Sequence, residues 1–356
     1  MKIAGFDIGG ANTDLAIVDF DGETHEIKNI AINFEYLPMW SNKDDLEDTL
    51  INLIQKTIGA SGKIDSLDGI GISMTAELVD AYETKSEGVL DIARKTENIF
   101  KNISSEDIPI AFIGTKNVLN MKELKEKPLE IAAANWIATS KIATKISPNS
   151  IFVDIGSTTT DIIPIKDGKE CAKGRSDYER LSTGELVYTG TLRTNLASFL
   201  DEVYFDGKEF NVASELFAIT ADVYNVLDMI SIDDYVCHTC DGAGKTKEES
   251  ARRISRVLCA DLDILSFEDI VEISKYIHKK QVQQISKSLE KVVNEENLDL
   301  IITTGLGKDI LAKEAANILN LKVKSMDEIL TEEECVVAPA IGTAIMAEEY
   351  FTNYYK

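Results

Sequence analysis

One short motif occurs twice in the chain, and that repeat constrains the fold more than any other feature. Phe6-Asp7-Ile8-Gly9-Gly10-Ala11-Asn12-Thr13-Asp14 is matched by Val153-Asp154-Ile155-Gly156-Ser157-Thr158-Thr159-Thr160-Asp161, with Asp, Ile, Gly, Thr and Asp in the same slots. Apolar residues lead into each copy (Ile3 to Phe6, Ile151 to Val153) and out of it (Leu15 to Val18, Ile162 to Ile165). Each copy therefore reads as a strand, a tight glycine turn and a returning strand.

The tips of these hairpins have a chemical use. Gly9, Gly10 and Gly156 let the backbone turn and bring its N–H groups close to a ligand, and Asn12, Thr13, Ser157, Thr158, Thr159 and Thr160 add polar side chains. Such a turn suits phosphate oxygens. The carboxylates of Asp7, Asp154 and Asp161 would repel a bare phosphate, so Mg2+ or another divalent cation is the expected third party, held by those oxygens or their waters. A single copy would be an ordinary hairpin turn. Two matched copies favour a ligand.

A chain of 356 residues is too long for one ordinary core, and the duplication agrees with two domains. With 44% hydrophobic and 28% charged residues it reads as a globular protein, and no apolar run approaches the length of a bilayer span. The start Met1-Lys2-Ile3-Ala4-Gly5-Phe6-Asp7 turns acidic too soon for a secretory signal, so a cytoplasmic location is expected. A formal net charge of −24 disfavours nucleic acid and anionic membrane as partners. It leaves room for a phosphorylated small molecule whose charge is met locally, and for a homo-oligomer. The five cysteines are expected as reduced thiols. Cys237-His238-Thr239-Cys240 has no second pair to complete a zinc site, so it too reads as plain thiols.

The first half alternates strands and helices, the pattern of an α/β fold. After the opening meander (about 2–33) the spacing predicts a helix over 44–58, a strand over 70–74 and a helix over 88–100. A strand over 108–113 and a helix over 128–146 follow. Pro148-Asn149-Ser150 marks the boundary, giving domains 1–148 and 149–335, with an insertion over about 175–263 and a C-terminal helix over 336–356. Small residues Ala340, Gly342, Ala344 and Ala347 suit that helix to close packing back on the first domain. A long amphipathic helix carries Ile270, Ile273, Ile277, Ile285, Leu289 and Val292, with His278 expected at its surface. Leu298 to Thr303 runs as a strand into Gly305-Leu306-Gly307 and a helix N-terminus, a second anion or nucleotide site.

Gly244-Lys245-Thr246 resembles the end of a P-loop but lacks the earlier glycine, where Thr239 stands; Thr246-Lys247-Glu248-Glu249 fits a helix capping box instead. Two further stretches place a glutamate beside small polar residues. One is Met74-Thr75-Ala76-Glu77-Leu78-Val79-Asp80. The other is Arg180-Leu181-Ser182-Thr183-Gly184-Glu185-Leu186-Val187-Tyr188-Thr189-Gly190-Thr191-Leu192-Arg193-Thr194. Thr75, Glu77, Arg180, Glu185 and Arg193 are the candidate substrate-binding side chains, joined by Gly305 and Gly307, since arginine offers a planar fork to carboxylate or phosphate.

The paired hairpins and the late Gly-Leu-Gly turn resemble the sugar kinase, Hsp70 and actin (ASKHA) superfamily. That resemblance implies two ribonuclease-H-like, actin-like ATPase domains with a cleft between them. Met74 to Asp80, Arg180 to Thr194 and Thr239-Cys240-Asp241-Gly242-Ala243-Gly244-Lys245 are similar to the hydantoinase and oxoprolinase-like branch linked to tetrahydromethanopterin C1 metabolism. Within it they are similar to the (furanyl)methanamine synthase family of the methanofuran pathway. The implied activity joins γ-glutamyltyramine to an aminomethyl-furanylmethyl diphosphate, forming an aryl ether and releasing diphosphate. Turn amides and Mg2+ would steady the departing diphosphate. A carboxylate would take the phenol proton, with Asp7 the first catalytic candidate and Asp154 behind it. The alternative is an ATP-dependent small-molecule kinase or hydantoinase/oxoprolinase-like hydrolase, in which the same hairpins bind ATP.

Overall fold

The computed structural model describes residues 1–59, 64–105 and 107–354. The chain divides into two compact units: residues 1–148, 165–179 and 329–356 form the first, and 149–164 with 180–328 the second. The C-terminal segment thus belongs with the first unit, as does the stretch 165–179.

In the first unit the strands are β1 (Lys2–Ile8), β2 (Asn12–Phe20), β3 (Ile27–Tyr36), β4 (Gly69–Met74), β5 (Ile110–Ile113) and β6 (Val118–Leu119), in the order β3-β2-β1-β4-β5-β6. β1, β2 and β3 form an antiparallel meander, whereas β4 and β5 run parallel to β1. β4 is buried at every position, which is what an all-apolar Gly-Ile-Gly-Ile run between two covered faces predicts. One face is covered by helices Leu46–Ile58 and Lys85–Ile103, whose Leu50, Leu53, Val89, Ile92 and Phe100 enter a core with Phe6, Leu15 and Ile72. The other face receives the helix Ala338–Tyr354. It can approach because Gly5 has no side chain; a Cβ there would lie 2.2 Å from the Ala340 carbonyl oxygen.

The second unit repeats the plan. Its strands are β7 (Ser150–Ile155), β8 (Thr160–Lys166), β10 (Leu186–Val187), β11 (Glu202–Phe205), β12 (Lys208–Asn211), β13 (Leu300–Thr304) and β14 (Lys322–Ser325), while β9 (Lys169–Glu170), which pairs with the last two residues of β8, falls in the stretch 165–179 of the first unit. The main sheet runs β10-β8-β7-β13-β14 with β9 also on β8, and β11 and β12 make a separate hairpin. β13 is parallel to both β7 and β14. The same hairpin-then-parallel topology in both units is the structural counterpart of the repeated motif.

Two local expectations change, at 128–146 and at His278. The helix expected over 128–146 is a 3-10 turn at Pro128–Glu130 and an α-helix only at Asn135–Ala143, because Ala133 takes a left-handed φ of 50° that interrupts it. The long helix runs Phe267–Glu296, opened by the Ser266 capping box and closed by left-handed Asn297. His278 is buried on it rather than at the surface: its Nε2 lies 3.0 Å from the Ile310 carbonyl oxygen and its ring meets Tyr224 edge-on at 5.7 Å. Thr246 caps the helix Lys247–Val257 through a capping box with Glu249.

Candidate active site

In the first unit the β1–β2 turn is closed by Gly9 N–H to the Asn12 carbonyl at 2.9 Å. Leu37 and Met39 N–H groups bind the Ala11 and Gly10 carbonyls at 2.9 Å, so the turn's oxygens point into the protein. Asn12 is exposed at the tip, whereas Thr13 turns inward and is fully buried. Asp7 sits just before the turn at 6% exposure. It accepts a hydrogen bond from Ser73 Oγ at 2.8 Å, and Ser73 is itself bonded to Thr343 Oγ1 at 2.8 Å. Burial pushes the Asp7 carboxyl up to about 6, against the pull of Ser73 and Asn135. Asp14 stands opposite Asp7 in the strand register, and burial, then the Asp7 charge, raises its pKa well above the usual carboxylate range.

The turn after β4 lies beside this hairpin, since Thr75 N–H binds the Ile8 carbonyl at 2.9 Å. Glu77 in that turn is 1% exposed, and neither carboxylate oxygen forms a hydrogen bond of normal geometry. Burial pushes its pKa up to about 7; Lys85, with Nζ at 3.9 Å, pulls it back and Asp177 adds to the rise.

In the second unit Gly156 N–H to the Thr159 carbonyl closes the turn at 3.1 Å. The Thr189 to Arg193 segment docks on it: Thr191 N–H binds the Gly156 carbonyl at 2.9 Å, and Leu192 and Arg193 N–H groups bind that of Ser157 at 3.0 and 2.9 Å. Gly190 must be glycine here, as a Cβ would lie 2.5 Å from Thr158 N. The glycine turn docks on the other side. Gly307 N–H binds the Ile155 carbonyl at 2.9 Å, and Gly305, at φ 82°, lies against Asp154. Asp154, Gly156, Ser157, Thr158, Thr159, Arg193, Gly305 and Gly307 are thus gathered within one unit. Arg193 is exposed, with its backbone fixed to the tip.

Other candidates are used for support. Arg180 is 1% exposed, pairs with Asp161 and donates to the Glu185 carbonyl at 3.0 Å. Glu185, 2% exposed, accepts from Thr183 Oγ1 at 2.7 Å, and Thr160 donates its hydroxyl to the Thr189 carbonyl at 2.8 Å. Arg180, Glu185, Asp161 and Thr160 therefore brace β8 and β10 from inside rather than face a ligand surface. Asp161 is thus answered by a guanidinium, whereas Asp14 in the matching slot of the first hairpin has no cationic partner among the described residues. Among the described residues no three His, Cys, Asp or Glu side chains gather as a metal cluster. Cys237 and Cys240 are free, and burial raises both thiols, Cys240 to about 11, which keeps them protonated.

Two units of this topology, each with a glycine hairpin at its leading strands, make the actin-like fold of two ribonuclease-H-like domains. A solved acetone carboxylase structure shares the fold at a TM-score of 0.60 over 97% of this chain and 70% of its own, with 12% identity. A glucokinase of the ROK family from Streptomyces griseus does so at 0.50 over 98% of this chain and all of its own, with 11% identity. The chain belongs to the hydantoinase/oxoprolinase family, whose model matches residues 68–350, and within it to the (furanyl)methanamine synthase branch. A relative from Methanocaldococcus jannaschii, named (4-{4-[2-(gamma-L-glutamylamino)ethyl]phenoxymethyl}furan-2-yl)methanamine synthase, is 40% identical over 90% of this chain and 92% of its own. One of the same name from Methanococcus vannielii is 39% identical over 58% of this chain and 93% of its own. No described helix is long and apolar enough to cross a membrane.

Proposed function

We propose that this chain is a transferase that joins the phenol of γ-glutamyltyramine to the furanylmethyl carbon of an aminomethyl-furanylmethyl diphosphate. The observation that carries the reading is the 40% identity, across nine-tenths of both chains, to a synthase named for that ether. In the reaction the phenol oxygen bonds the furanylmethyl carbon, the bond from that carbon to the diphosphate oxygen breaks, and the phenol proton passes to a base. The furan ring tolerates positive charge at this carbon, so the barrier lies chiefly in the departing diphosphate.

The second unit's tip, Gly156 to Thr159, with Arg193 and the Gly305–Gly307 turn, takes the diphosphate. Gly9, Gly10 and Asn12 offer the first unit's polar tip, and Thr75 lies beside it. Asp7 is the base: its carboxyl, raised to about 6, is ionised at neutral pH yet basic enough to accept a proton as the C–O bond forms. A divalent cation suits these residues, because Asp7 and Asp14 are facing carboxylates whose repulsion a cation relieves and whose hard oxygens match it. Asp14 would hold it, opposite Asp7, and it would supply charge neutralisation for the departing diphosphate.

Incubation of the purified chain with both precursors and Mg2+, followed by mass detection, tests the reading. The expected result is the ether with one diphosphate released per turnover and no consumption of ATP. Phosphorylation or hydrolysis dependent on ATP, without ether, would overturn it.

A further inference from the structure

The long helix Phe267–Glu296 presents two buried polar side chains three residues apart on one face, His278 and Gln281, which the reaction itself does not use. Gln281 Nε2 donates to Thr189 Oγ1 and to the Gly190 carbonyl, both at 2.9 Å. Gly190 is the residue pressed against the backbone of Ser157 and Thr158 at the hairpin tip. On its other side Gln281 Oε1 accepts from Tyr224 OH at 2.5 Å. Burial holds the Tyr224 phenol well above its ordinary pKa, so it stays a donor, and this orients the amide with its NH2 toward Gly190. Tyr224 then meets His278 edge-on, and His278 reaches the carbonyl of Ile310. Ile310 lies in the π-helical turn Lys308–Ala312 that follows Gly307, where i→i+5 bonding alters the usual carbonyl pairing. One helix face thus grips both loops that dock on the hairpin, the Thr189–Arg193 segment and the glycine turn.

We propose that Gln281 is a positioning residue for the diphosphate: through Thr189 and Gly190 it sets the second hairpin tip, and through Tyr224 and His278 it keeps that tip in register with the glycine turn. This rests on the reading that the tip takes the diphosphate. A fully buried amide with three good hydrogen bonds has an obvious alternative role in stability, so the test must separate the two.

The probe is inorganic diphosphate with Mg2+, titrated calorimetrically into the intact chain, beside steady-state kinetics and a thermal melt. Gln281→Met keeps volume and helix propensity but releases Gly190 and Thr189. Tyr224→Phe keeps the ring and removes only the bond that orients the amide. Expected for Gln281→Met is a Kd for diphosphate and a KM for the furan substrate about tenfold higher, the scale of one lost oriented hydrogen bond, with KM for the phenol unchanged. Tyr224→Phe should move the same two constants in the same direction by less. Wild-type affinity for diphosphate in both variants overturns the proposal while leaving the reaction intact. Equal changes in both KM values that track the fall in melting temperature also overturn it, as a purely structural role. If Gln281→Met does not fold, Tyr224→Phe decides alone. A wild-type chain that makes the ether but binds no diphosphate removes the assigned subsite and this inference with it.

Discussion

Asp7 and Asp14 face each other across the β1–β2 ladder with no cationic side chain paired to either among the described residues, whereas in the second copy of the motif Asp161 is answered by the Arg180 guanidinium. Sequence-identical slots therefore carry opposite electrostatics. Asp14→Asn should remove the repulsion. Its folded-state pKa is raised, so ionised Asp14 costs stability as pH rises. At pH 8 in chelator the variant should melt a few degrees above the parent, and added Mg2+ should stabilise the parent more than the variant. Identical melting in chelator would mean the two carboxylates are not opposed.

Glu77 gives a pH signature. Its folded pKa of about 7 lies above its unfolded value, so the folded state binds the extra proton between roughly pH 4.5 and 7. The stability linked to that proton is complete below about pH 4.5 and lost as pH rises through about 7. Glu77→Gln cannot lose it. Between pH 5 and 8 the variant should gain stability relative to the parent by on the order of 3 kcal/mol, read from denaturant midpoints. A difference that stays flat with pH would show that Glu77 is not the buried titrating group.

Arg180 and Asp161 predict a coupled pair. Arg180→Met leaves a carboxylate beside a buried apolar side chain and should cost roughly 3–5 kcal/mol, whereas Arg180→Met with Asp161→Asn should recover much of it. Additive losses in the double-mutant cycle would refute the pairing.

The hairpins were legible because strand periodicity and glycine turns are local signals, and β1–β2 and β7–β8 fall where the motif placed them. The separate jobs of Asp14 and Asp161 were not, since they depend on whether an arginine from a later helix arrives beside them. Arg180 and Glu185 looked like ligand contacts for the same reason: charge in a polar stretch marks importance without showing which way a side chain turns. His278 sits among lysines in sequence, yet the helix face it shares with Ile277, Gln281 and Ile285 is buried. Only long-range partners, Tyr224 and Ile310, show what it does.

The last prediction concerns Asp7 itself. Asp7→Asn preserves the shape and can keep the Ser73 contact, while removing the charge that accepts the phenol proton. Ionised Asp7 is the active form, so parent turnover should fall as pH drops through about 6. The variant should be slower by roughly 10²–10⁴ and should lack that acidic limb. Burial raised the Asp7 pKa, so removing the ionisable group should leave the fold as stable as the parent or more so at neutral pH. Turnover against pH, with a melt of the same preparation, checks both halves. A folded variant that keeps near-parental turnover and the same pH profile would assign the proton transfer to another group and leave Asp7 as a support for the glycine turn.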